Sequence, residues 1–125
     1  MSHFTTIQTH LKDIEALKAA CAELELTLEE KGEARGYGDN RYPGDYIIKL
    51  KGPYDIAVVR EANGTYGLIT DWWEGHVERE VGPKFGRLLQ LYGVHKVMRD
   101  ASTRSYAVQR QKLDNGTIKL VIGGV

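Results

Sequence analysis

Ile56-Ala57-Val58-Val59, then Asn63-Gly64, then Tyr66-Gly67-Leu68-Ile69: this order of residues decides the fold class. β-Branched and aromatic side chains fit the pleated, half-buried surface of a strand. Asn-Gly between two such runs is the strongest short hairpin signal, because the tightest hairpin turn needs positive φ at both central residues. Upstream, Tyr46, Ile47, Ile48 and Leu50 mark a strand over residues 46–50. Gly52-Pro53 separates it from residues 55–60 as a second tight turn. The centre of the chain is therefore predicted to be an antiparallel meander.

Towards the start, Phe4 and Ile7 among threonines predict a short strand over residues 3–9. Asp13 is placed to cap a helix whose apolar face carries Ile14, Leu17, Cys21 and Leu24, recurring at three- and four-residue steps. That helix is expected to run through about Ala22. Leu24, Leu26 and Leu28 then alternate with polar residues, so the period changes to that of a strand. Residues 32–44 hold four glycines, Pro43, Asp39 and Asn40, and read as a long loop of the functional or mobile kind.

Beyond the meander, Val81, Phe85, Leu88, Leu89 and Tyr92 share one side of a helix that starts near Pro83, since proline is comfortable only in a first turn. Val94, Val97, Met98 and Ala101 continue the stripe past Gly93. Residues 106–112 and 117–122 flank Asp114-Asn115-Gly116 as a second hairpin, and Gly123-Gly124-Val125 reads as a frayed end. Helix, strand, turn, strand occurs over residues 13–50 and again over 94–122; such units recur without common origin, and a duplication is not favoured. The whole predicts an α+β chain, one domain over residues 1–125, with a single mostly antiparallel sheet and two or three helices packed on one face.

Composition narrows the function. Lys plus Arg and Asp plus Glu both number 17, so no net field draws in nucleic acid or an acidic surface. No apolar run approaches the roughly 20 residues of a membrane span. Cys21 is the single cysteine, which forbids an internal disulfide and favours a reducing compartment. Residues 1–6 lack the basic and apolar parts of a secretory signal. The expected location is the bacterial cytoplasm, or the plastid stroma for a plastid-encoded chain. Without export, the Asn63 and Asn115 triplets are turns rather than glycosylation sites.

Few residues suggest chemistry. No zinc-ribbon or finger spacing, phosphate-binding loop, dinucleotide fingerprint or nucleophile elbow occurs. Glu74, His76 and Glu78 would share one face of a strand as metal ligands, yet they sit at a strand-to-helix connection, where solvated side chains are the plainer reading. His95 lies near an apolar helical face; a proton-transfer role would need a carboxylate that sequence does not place. Cys21, in register with Leu17 and Leu24, reads as an inert core thiol. Gly36 and Gly38 with Arg35 or Arg41 could cradle an anion, although the loop matches no phosphate motif. Trp72-Trp73 is the most informative pair: adjacent strand residues face opposite ways, which would push one indole outward as a partner anchor, while burial of both at the strand-helix corner is the alternative and the plainer reading. Arg35, Tyr37, Arg41, Tyr42, Trp72, Trp73 and His76 together form the candidate interaction surface.

Ser2-His3-Phe4, Ile14-Glu15-Ala16-Leu17-Lys18, Arg35-Gly36-Tyr37, Tyr54-Asp55, Asp71-Trp72-Trp73, Tyr92-Gly93-Val94-His95-Lys96 and the stretch from Asp114 to Leu120 together resemble one family. It is the hypothetical chloroplast open reading frame thirty-five family of cyanobacteria, algal plastids and other bacteria, and the resemblance spans nearly the whole chain. It implies no catalytic residue and no cofactor. Members that neighbour a MoxR-like AAA ATPase imply an accessory or adaptor role. The leading expectation is thus a non-enzymatic, partner-binding protein. A small-ligand or anion-binding enzyme using Arg35, Arg41, His76 or His95 is the alternative, followed by a binder of single-stranded nucleic acid, for which neither charge nor motif speaks.

Overall fold

Asp13 starts the first helix as expected: its Oδ1 accepts the Ala16 amide at 3.1 Å. This helix, α1 (Ile14–Glu23), buries Ala16, Leu17, Ala20 and Cys21. It ends in a Schellman closure, with Glu25 at φ 61, its amide on the Ala22 carbonyl and the Leu26 amide on the Cys21 carbonyl. Leu24 and Leu26 therefore belong to the closing turn, and the strand predicted from Leu24 begins later. The computed structural model describes residues 3–123; Met1, Ser2, Gly124 and Val125 lie outside them.

Five strands, β1 (Thr5–Gln8), β2 (Thr27–Arg35), β3 (Arg41–Lys49), β4 (Ile56–Arg60) and β5 (Tyr66–Thr70), form one sheet in the order β1-β5-β4-β3-β2. Every pairing is antiparallel. Then come a short helix α2 (Glu78–Val81), a helix α3 (Gly86–Thr103), and the strands β6 (Ala107–Lys112) and β7 (Ile118–Gly123). The fold is α+β with a mostly antiparallel sheet, as the periodicities predict. The last hairpin stands as a two-stranded sheet of its own. No helix among the described residues is long and apolar enough to cross a membrane.

The long loop expected at residues 32–44 is a correction. β2 and β3 run through it as paired strands, with Gly32 opposite Gly44 and Arg35 opposite Arg41, leaving only residues 36–40 as the turn. The glycines serve a kink. The ladder passes from Glu30–Tyr46 to Gly32–Gly44, and Lys31 takes φ 50 there. Across that point the facing reverses: Leu28, Tyr46 and Ile48 pack on the helix side, whereas Ala34 and Tyr42 join the opposite face. A Cβ on Gly44 would meet the Tyr46 carbonyl at 2.7 Å. β4 pairs with β3 only at Tyr46–Ile48, so Pro43 sits where β3 has one neighbour and a missing amide is tolerated.

Gly82-Pro83 interrupts the helical stripe as predicted, but regular helix starts at Gly86 rather than Pro83. Lys84 and Phe85 sit at φ 52 and 65, in a single tight turn that drives Phe85 fully into the core. α3 then passes Gly93 unbroken. The helix-side core joins Leu17, Cys21, Ile48, Ile56, Val58, Leu68, Val81, Phe85 and Leu88. Each large side chain so buried contributes about 1.5–3 kcal/mol. On the far face, Ala34, Ile47, Ala57 and Ile69 form a smaller cluster covered by Phe4, Tyr42 and Val59.

Candidate interaction surface

Two buried carboxylates organise the sheet end that carries most of the expected surface residues. Asp55 is fully buried, and its oxygens accept Arg35 Nε and Nη2 at 2.8 Å each, with the Arg35 and Leu50 amides at 3.0 and 3.2 Å. Burial pulls the Asp55 carboxyl up, but the Arg35 guanidinium and these amides outweigh it and hold the group below its ordinary value. Arg35 Nη2 also donates to the Leu50 and Gly52 carbonyls. Arg35 is thus a clamp between β2 and the β3–β4 turn, and its guanidinium is turned inward.

Asp71, the second fully buried carboxylate, accepts the Tyr37 amide through Oδ2 at 3.2 Å and the Trp73 amide through Oδ1 at 3.0 Å. One side chain therefore fixes the β2–β3 turn and the segment after β5 together. The consequence is on the surface: the Tyr37 and Trp73 rings meet edge to face, 6.0 Å between centroids at 80°. Both stay open to solvent, Tyr37 46% and Trp73 38% exposed. Arg41 stands in the same turn with Nη1 on the Asn40 and Gly38 carbonyls at 2.8 and 3.2 Å.

The remaining expected residues disperse. Trp72 points the other way and packs on Phe85 at 4.6 Å, half-buried against the core. The adjacent indoles do separate, but not by strand alternation: β5 ends at Thr70 and Trp73 opens a 3₁₀ turn. Tyr42 lies on the far sheet face against the Phe4 ring at 5.4 Å. His76 is half-buried with its ring edge-on to Tyr54 at 5.2 Å. The structure brings together Tyr37 and Trp73, leaves Arg41 exposed with its guanidinium on its own turn's carbonyls, and assigns Arg35, Tyr42 and Trp72 to internal contacts. The anion cradle weighed as a minor alternative for the glycine loop finds no support: the Gly36 amide is bonded to the Asn40 carbonyl, the Tyr37 amide to Asp71, and Arg35 to Asp55. Glu74 and His76 lie in and just after a 3₁₀ turn and Glu78 opens α2, so no strand aligns them, and no trio of metal-ligating side chains occurs among the described residues.

A second polar cluster escaped the sequence reading. Glu23, at the end of α1, accepts Arg110 Nη1 at 2.8 Å and Nη2 at 2.6 Å, and its Oε1 lies 2.8 Å from His95 Nε2. The Arg110 guanidinium, aided by His95, pulls the Glu23 carboxyl down to about 2. This is the carboxylate partner His95 required, brought from 72 residues away. No sequence signal pairs them; the packing of α1 on α3 does. Cys21 is buried and its thiol is pushed up to about 12 by burial, as an inert core thiol should be.

These features define a small α+β protein with an exposed aromatic corner whose backbone is held by a buried carboxylate. The chain belongs to the family described as "Protein of unknown function (DUF1257)", whose model matches residues 20–121. It is 30% identical over 125 residues to the uncharacterized protein ycf35 of Guillardia theta, covering 98% of this chain and 96% of that relative. It is also 29% identical to the uncharacterized protein ycf35 of Pyropia yezoensis and of Cyanophora paradoxa, with the same coverage. The family resemblance read from the short motifs is thereby established. No solved structure matches the chain at a significant level.

Proposed function

We propose that this chain is a non-enzymatic partner-binding module that presents Tyr37 and Trp73 to another protein. One observation supports this above all: an exposed Tyr–Trp pair whose two backbone amides are held by the same buried carboxylate, Asp71. Tyrosine and tryptophan dominate interface hot spots because they bury large area with few torsions to freeze. Prior ordering by Asp71 lowers the entropy lost on docking.

The first partner to examine is a MoxR-like AAA ATPase, the association that the family resemblance brings. Equilibrium binding of the whole chain to such a purified ATPase tests the reading. Trp73→Ala and Tyr37→Ala should each weaken binding by about tenfold or more while the far-ultraviolet spectrum is unchanged. Unaltered affinity in both variants refutes the aromatic corner as the anchor. Trp72→Ala and Arg35→Ala do not serve as release tests, because both side chains hold the fold.

A further inference from the structure

We infer that the groove between α3 and the β6–β7 hairpin is a binding site for a small organic phosphate, a planar or apolar body carrying one phosphate group. The groove encloses about 570 Å³ and is lined by Arg87, Gln90, Leu91, Arg110, Lys112 and Ile118 together with Glu23 and Gly116. That volume lies within the roughly 300–1,000 Å³ of small-molecule sites. It is separate from the aromatic corner and stands independently of the partner-binding reading.

The charge arithmetic of the lining selects the ligand. Three cations, Arg87, Arg110 and Lys112, face one carboxylate, Glu23. Arg110 clasps both oxygens of Glu23, so these two cancel. Arg87 and Lys112 form no ion pair among the described residues. Arg87 Nη1 donates only two long bonds of 3.4 Å, to the Arg79 and Glu80 carbonyls. Two unneutralised cations around one cavity match a phosphate monoester, which carries about −1.5 to −2 charges at neutral pH. A carboxylate would satisfy only one of them.

The shape of the lining adds the organic body. Leu91 and Ile118 give the groove apolar walls, and a bare inorganic anion would leave them wet. Gln90 closes one end, its Nε2 donating to the Gly116 carbonyl at 3.3 Å, which joins the hairpin tip to α3. An arginine and a lysine thus share the cavity with two aliphatic side chains, the pairing of a phosphate clamp with a non-polar floor.

Calorimetric titration of the whole chain at low salt, with AMP, phenyl phosphate and inorganic phosphate as probes, tests the assignment. Saturable one-to-one binding of AMP or phenyl phosphate is expected, with inorganic phosphate at least about tenfold weaker for want of the body. Arg87→Ala and Lys112→Gln should each weaken the organic probe by about tenfold. Arg60→Ala, at the exposed end of β4 and outside the groove lining, should leave it unchanged. Amide shifts on adding the probe should centre on Leu91 and Ile118, a readout that needs no variant. Silence from both organic probes overturns the site. So does equal affinity for inorganic phosphate, full binding by both groove variants, or an equal loss in Arg60→Ala.

Discussion

The β4–β5 and β6–β7 hairpins are built on the same turn and meet opposite fates. In each, an asparagine Oδ1 accepts the threonine amide two residues on at 3.0 Å, Asn63 to Thr65 and Asn115 to Thr117. In each, a glycine at positive φ, 87 for Gly64 and 86 for Gly116, bonds back to a carbonyl three residues earlier, Glu61 or Leu113. Only the glycine is left-handed, so both are type I turns followed by a glycine bulge, not the two-residue turn that Asn-Gly suggests. Yet β5 is buried along its whole length, while β6 and β7 keep most residues in solvent. Turn chemistry specifies that two strands pair. Burial depends on what covers them: residues of α1, α2 and α3 share a core with the first hairpin, while the second leans on α3 and on one bridge to the end of α1.

That contrast can be broken at its ties. The sheet rests on apolar burial and on the Asp55 clamp; the ribbon rests on Ile118, Val108 and Leu120, all half-buried, and on the Glu23–Arg110 bridge. The largest effect is expected from Asp55→Ala, which strands two backbone amides and the Arg35 guanidinium. Urea denaturation should register the lower end of about 3–5 kcal/mol, because Arg35 keeps partial access to water. A loss below about 1 kcal/mol would mean the clamp is dispensable.

Smaller, and local, is Arg110→Ala. Its bridge is partly exposed, so global stability should fall by no more than about 1 kcal/mol. Chymotrypsin should nevertheless cut faster at Tyr106 and Leu113 while leaving β4 and β5 intact. Uniformly faster cleavage would show that ribbon and sheet open together.

Smallest is the effect of acid on the same bridge. Glu23 has a folded pKa of about 2 against an ordinary 4.5, so its contribution is complete above 4.5 and is lost as pH falls through about 2. Amide resonances of Val108 and Gln109 should therefore shift across that window before the sheet unfolds. Glu23→Gln should abolish this step. Trp73→Ala should change stability by only about 0.5 kcal/mol, as for an exposed side chain, whereas Trp72→Ala loses its contact with Phe85 and should cost several times as much.

Sequence reading found what local chemistry determines. Asp13 as a cap, the stripe through Leu17 and Cys21 and both hairpins rest on contacts within a few residues, whereas Trp72 and Trp73 part because of distant partners, Phe85 and Tyr37. It failed at residues 32–44 because Gly32, Gly44 and Pro43 are turn formers by habit and here serve a kink between two long strands. The candidate surface was half legible. Tyr37 and Trp73 were singled out, but their shared holder, Asp71, lies 34 residues from Tyr37 in sequence. Arg35 looked like a recognition residue because sequence does not show that Asp55 waits inside the sheet.

Native-state hydrogen exchange, resolved amide by amide, tests the central contrast most directly. Amides of β4 and β5 should exchange only through global unfolding, and those of β6 and β7 through a local opening of clearly lower free energy. Equal opening free energies in the two hairpins would contradict the account.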